Sequence, residues 1–159
     1  MSQKSLFLLG IAVVLVGTNA MIVQKEHLLR VGQAVYLQLA PVDPRSLMQG
    51  DYMRLEFAIA RDLDLNTTPA RGHLVLSANP RGVARRLRIH QGERLAEDEF
   101  LLRFRKKDWR VLVAADSYFF QEGQADRFAL ARYAEIRVTP SGDSVLVGLL
   151  DEELQPIRP

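Results

Sequence analysis

"GDYMRLEFAI", residues 50–59, holds the pattern on which the fold turns. Met53, Leu55, Phe57 and Ile59 alternate with Tyr52, Arg54, Glu56 and Ala58. A period of two belongs to a strand with one face on a core, because successive side chains leave opposite sides of an extended backbone. Gly50 tolerates positive φ, and Asp51 can accept a hydrogen bond from a nearby backbone N–H, so the pair makes a compact strand entrance. Tyr52 is left on the far side, either as an interface anchor or as half-buried filler under a helix. Upstream, "PVDPRSLMQ" (41–49) contains Pro41 and Pro44, which stiffen a loop and keep it out of a sheet. Residues 41–57 thus read as a stiff loop, a pinned turn and a presented edge.

Period two continues down the chain. "VARRLRIH" (83–90) sets Val83, Leu87 and Ile89 against Arg86, Arg88 and His90, and "FLLRF" (100–104) groups Phe100, Leu102 and Phe104. "RVLVA" (110–114) and "SVLVGLL" (144–150) are apolar on both faces, which predicts central strands or a closed barrel. Turn signals separate these runs at Asn79-Pro80-Arg81-Gly82, Gln91-Gly92, Lys107-Asp108 and Pro140-Ser141-Gly142-Asp143. "QEGQADRFALARYAE" (121–135) is rich in helix formers and aligns Ala125, Phe128, Ala129 and Arg132, so it is predicted to be the one helix of the body. The expected fold is mainly β with one packed helix, a small antiparallel β barrel or sandwich, plus an N-terminal transmembrane helix.

The transmembrane expectation comes from "MSQKSLFLLGIAVVLVGTNAMIVQKEH" (1–27), which has no charge between Lys4 and Lys25. Leu6 to Val23 is long enough to cross the hydrocarbon core, and a buried soluble helix would show a polar face before Thr18. The division expected is a head (1–5), an anchor (6–23), a linker (24–33), a β domain (34–155) and a tail (156–159). Thr18 and Ala20 also suit the −3 and −1 positions of a signal-peptidase site, while the apolar run through Val23 favours a retained anchor. A short head before an apolar run behaves as a signal and places the bulk of the chain outside the cytoplasm.

Composition narrows the chemistry. The chain has 159 residues with 48% hydrophobic and 25% charged, as in one folded domain with an appendage. Without cysteine there is no disulfide, thiolate metal site or cysteine nucleophile, and three isolated histidines (His27, His73, His90) argue against a histidine-rich metal site. No cofactor is expected. Between Arg81 and Arg110 ten Lys/Arg face five Asp/Glu, either a solvated arginine-rich sheet face or a surface for anionic lipid or envelope polymer. Nucleic acid is excluded as a partner by the side of the membrane the N-terminus implies.

Gly50, Asp51, Tyr52, Leu55 and Phe57 spell G-D-Y-x-x-L-x-[YF], and the chain resembles the GDYXXLXY family of bacterial membrane-anchored proteins. The resemblance runs over about residues 34–155. It takes in "DPRSLMQGDYMRLEF" and the later block "DSYFFQEGQADRFALARYAEIRV", where Glu122 and Gly123 lie, then "VLVGLLDEEL". Phe57 departs from the tyrosine of the family name, so no role for a hydroxyl is carried over there. The resemblance implies a single-pass protein of the bacterial inner membrane and supplies no activity. "PRSLMQGDYM" also resembles, with one extra residue, the Pro-x-Leu-x-x-Gly-Asp turn of type I signal peptidases. The serine that should precede the proline is absent from 38–43, Ser46 lies after it, and Lys106 and Lys107 read as an exposed hairpin turn.

Three functions follow as expectations. The first is a non-enzymatic extracytoplasmic module on the cell membrane, presenting 41–57 to an integral-membrane or periplasmic protein. The second is a hydrolase using Asp51 and Glu122 as paired carboxylates, with Arg127 and Arg132 as their counter-ions. The third is a binder of anionic lipid or envelope polymer through the 81–110 arginine face, with Trp109 as an interfacial anchor.

Overall fold

The computed structural model describes residues 3–40, 48–49 and 52–158. Helix α1 (Gln3–Val31) carries the apolar run, is long and apolar enough to span a membrane, and leaves that run uncovered by the rest of the chain. Only Leu28 of the helix is buried. The helix continues through the stretch expected to be a linker and hands over to β1 (Gln33–Gln38) across Gly32 alone.

The remainder is mainly β. After β1 come β2 (Met48–Gln49), β3 (Tyr52–Arg54), α2 (Ala58–Arg61), β4 (Arg71–Ala78), β5 (Ala84–Ile89), β6 (Glu99–Lys107) and β7 (Arg110–Val113). Then follow β8 (Ser117–Phe119), α3 (Ala125–Phe128), β9 (Tyr133–Val138) and β10 (Ser144–Leu150). They form three antiparallel sheets in the orders β1-β9-β10, β2-β3-β8 and β5-β4-β6-β7. A parallel bridge, Tyr36 to Val83, ties the first sheet to the third. All three curve round one core as a half-barrel, with residues of every sheet and of α2 and α3 in a single apolar cluster.

The alternation at 50–59 holds: Met53, Leu55, Phe57 and Ile59 are all buried. The strand itself is shorter than the pattern. β3 ends at Arg54, after which Leu55 N–H donates to Asp116 O and Ala40 N–H to Glu56 O, and the chain then winds into α2. A backbone that changes partners in this way keeps its apolar set inward without staying in one ladder.

Three expectations are corrected. The helix predicted over 121–135 shrinks to the four residues of α3, and Tyr133–Val138 is instead the middle strand of its sheet. Its neighbours β1 and β10 satisfy both backbone edges, which outweighs the helix propensity of Ala, Arg and Glu. In β5 the register slips between Val75 and Leu76, so Arg86 lies opposite Leu76 while Leu87 is skipped and exposed. The bulge inverts the faces that simple alternation assigns to Arg86 and Leu87, while Ile89 stays on the core face opposite Leu74. The Arg86 guanidinium turns inward to donate to Ile59 O. Finally, β7 and β10 lie at sheet ends rather than in the middle, and a bulge in β10 turns Val147 outward.

Candidate functional site

The family motif and the later aromatic block meet at one ladder. β3 pairs with β8 so that Tyr52 opposes Phe119, Met53 opposes Tyr118 and Arg54 opposes Ser117. Opposed residues share a face. Met53 and Tyr118 therefore turn to the core, and Tyr52 and Phe119 turn away from it. The two outer rings lie 5.6 Å apart and tilted by 37°, within the range of a favourable aromatic pair. Phe119 is 73% exposed, and Tyr52 is half-buried beside it. Between the two readings of Tyr52, the ring is partly covered, by a neighbouring strand rather than by a long helix.

On the inner side, Tyr118 and Phe120 hold Phe128 of α3 at 5.2 Å and 5.1 Å, the latter pair stacked. A small cavity of about 260 Å³ opens here, lined by Tyr118, Phe119, Phe120, Gln121, Gln124 and Phe128. The Gln124 Oε1 is enclosed and has no hydrogen-bond donor among the described residues. A buried amide oxygen without a donor is costly, and Gln124 also lines this cavity. Phe119 thus belongs both to the outer pair and to the cavity wall. The alternation in "SYFF" (117–120) was the signal for it: it puts Tyr118 and Phe120 on one face and Phe119 on the other.

The other candidates fall as follows. Gly50 and Asp51, with the 41–47 part of the loop and Ser46, lie outside the described residues, and so does the pairing of Asp51 with Glu122. Glu122 is exposed, and Gly123 beside it has φ +82°, which its lack of a Cβ permits. Arg127 donates to Arg158 O and Arg132 to Ala129 O and Ala131 O, so both are spent on backbone carbonyls. Leu55 and Phe57 are core residues that also wall a second cavity of about 310 Å³, at whose rim Trp109 is 86% exposed.

Cations of the 81–110 stretch are in good part committed within the fold. Arg88 makes a bidentate pair with Glu99 (2.6 and 2.8 Å) and a further bond to Glu93 (2.7 Å). The Arg88 guanidinium, followed by the Ala96 N–H, holds the Glu99 carboxyl at about 2. The Gln91 N–H, the Glu93 N–H and Arg88, in that order, do the same for Glu93. Lys106, expected in an exposed turn, is half-buried in β6 and donates to Leu65 O and Thr68 O, 2.9 Å each. An ammonium bound between two carbonyls caps a loop.

No match to the chain was found among curated proteins or among solved structures. The family model described as GDYXXLXY protein matches residues 14–149, from within the apolar helix into the last strand. That span includes both strands of the aromatic ladder and the cavity beside it, and the chain belongs to the GDYXXLXY protein family.

Proposed function

We propose that this chain is a membrane-anchored, non-enzymatic module that docks through the Tyr52–Phe119 face onto an integral-membrane or extracytoplasmic protein. Helix α1 serves as the single-pass anchor in the bacterial inner membrane, with the β body on the extracytoplasmic side. The observation that carries this reading is Phe119: a 73% exposed ring held against Tyr52, above a cavity with an unpaired buried acceptor. Large aromatic side chains set beside a pocket are the residue type on which protein interfaces concentrate their binding energy. The 41–57 edge expected from the sequence narrows in this reading to Tyr52, and its β8 neighbour supplies the more exposed ring.

The test is crosslinking in intact cells. A photoreactive amino acid in place of Phe119 is expected to capture one discrete membrane or envelope protein, and the same group in place of the exposed Arg85 is not. Adding Tyr52→Ala to the position-119 probe is expected to remove the adduct while the β body remains folded by circular dichroism. Equal labelling from both positions, or an adduct indifferent to Tyr52→Ala, rejects the reading.

A further inference from the structure

The β4–β6 ladder sets Arg71 directly opposite Arg105 and His73 directly opposite Arg103. All four side chains stand on the face of the sheet away from the main core, because their neighbours Gly72 and Phe104 occupy the other face. Like charges directly opposite one another in a ladder are destabilising, so the Arg71–Arg105 pair opposes folding unless something neutralises it. The fold supplies two counter-charges. Asp143 meets Arg103 at 2.7 Å and Asp116 meets Arg105 at 3.3 Å. The Arg71 side chain has no hydrogen bond or ion pair among the described residues, and the His73 Nε2 is enclosed with no partner among them. The same six side chains line a groove of about 590 Å³.

We infer that this groove is a binding site for a phosphate group, held by Arg71 and Arg105 with the His73 ring at its side. Guanidinium forks match the oxygens of phosphate, and a charge-assisted pair there relieves the repulsion built into the ladder. The groove lies against the turn between β9 and β10. Gly142 O accepts from Arg103 N–H at 2.8 Å, and a Cβ at Gly142 would stand 2.9 Å from the His73 ring. That turn is beside the point where α1 enters the sheet, since Gln33 of β1 and Ser144 of β10 both pair with Val138. The phosphate could therefore come from a lipid headgroup or from a free solute, and the experiment separates the two.

The full chain in neutral detergent is heated with inorganic phosphate, with short-chain phosphatidylglycerol, with short-chain phosphatidylcholine, or with sodium chloride at matched ionic strength. Phosphate and phosphatidylglycerol are both expected to raise the melting temperature above the chloride control. A shift with phosphatidylglycerol and none with inorganic phosphate assigns the site to lipid, and a shift with inorganic phosphate alone assigns it to a solute. In Arg71→Gln the apparent affinity for the effective ligand is expected to fall about tenfold or more, the loss of one charge-assisted bond. The same variant without ligand is expected to melt higher than the wild type, because the Arg71–Arg105 repulsion is gone. Arg85→Gln, on an exposed arginine elsewhere in the sheet, leaves the ligand response intact. No shift beyond chloride with any phosphate compound, an equal response in Arg71→Gln, or an equal loss in Arg85→Gln overturns the assignment.

Discussion

The Phe128 ring is 1% exposed and lies between Tyr118 and Phe120, so its truncation leaves a void bordered by two aromatic faces. Phe128→Ala is expected to lower the unfolding free energy of the body by about 3–5 kcal/mol in urea titration. A cost below about 1 kcal/mol would mean that α3 is not seated in the core. A second residue-scale expectation concerns acid. Glu93 and Glu99 both sit at about 2, below the ordinary 4.5. A depressed carboxyl contributes stability that is present above its unfolded value and is lost as pH falls through the folded one. The urea midpoint should therefore decline between pH 4.5 and about 2, and Glu99→Gln should decline less steeply over that window. Equal slopes would deny Arg88 its role as the hub of the cluster. At this scale the sequence was a good guide to burial, since each of Met53, Leu55, Phe57 and Ile59 is inside. It was a poor guide to partners. Nothing local tells that Arg88 reaches Glu99 or that Lys106 reaches across to Leu65 O, because those contacts arise only when distant strands are paired.

Elements were legible where a pattern had one interpretation and misleading where it had two. "YAEIRV" (133–138) contains good helix formers, yet its Ala134, Ile136 and Val138 alternate with Tyr133, Glu135 and Arg137 and are the buried set of β9. Both periods were present, and pairing on both sides selected the strand. In β5 the opposite happened. Alternation from Val83 to Ile89 was clear, but one skipped residue broke the parity and sent Leu87 to the surface. A period-two reading gives Leu87 the weight of a core leucine, whereas the bulge leaves it 39% exposed. Leu87→Ala is accordingly expected to change stability by less than about 0.5 kcal/mol, while Leu76→Ala on the adjoining strand costs about 2–5 kcal/mol. The two urea midpoints measured side by side decide it: comparable losses would restore the unbroken strand. The aromatic ladder was half legible for the same reason. Tyr52 was visible as the odd residue of its motif, but Phe119 gained its meaning only from lying opposite it.

Across the whole molecule, one joint governs how the β body stands relative to the apolar helix. α1 does not end in a flexible tether. Gly32 N–H closes the last turn on Leu28 O at 2.9 Å, and Arg137 Nη1 reaches Gly32 O at 3.4 Å from 105 residues away. A Cβ at position 32 would meet Leu28 O at 2.6 Å, the Arg137 Cβ at 2.9 Å and Val138 N at 3.2 Å, so the close approach of helix and sheet requires glycine here. From Val23, where the apolar run ends, to Val31 the helix rises about 12 Å. With α1 as the proposed anchor, that short rigid stem keeps the β9–β10 turn near the bilayer surface and fixes the direction in which the Tyr52–Phe119 face is offered. The composition of residues 6–23 announced a helix long and apolar enough to span a membrane, but polar residues at 24–27 gave no sign that it continues. Exposed Gln24, Lys25 and Glu26 carry a helix on propensity, with no apolar pattern to mark it. Gly32→Ala is expected to break the joint without unfolding the body, since it strains a junction outside the main core. In the full chain reconstituted into lipid vesicles, trypsin should then cut at Lys25 and Arg30 faster than in the wild type, while the strands resist in both. Cleavage at equal rates would mean that the helix already swings freely in the wild type, and a body tethered in that way would present neither the groove nor the aromatic face at a fixed height above the membrane.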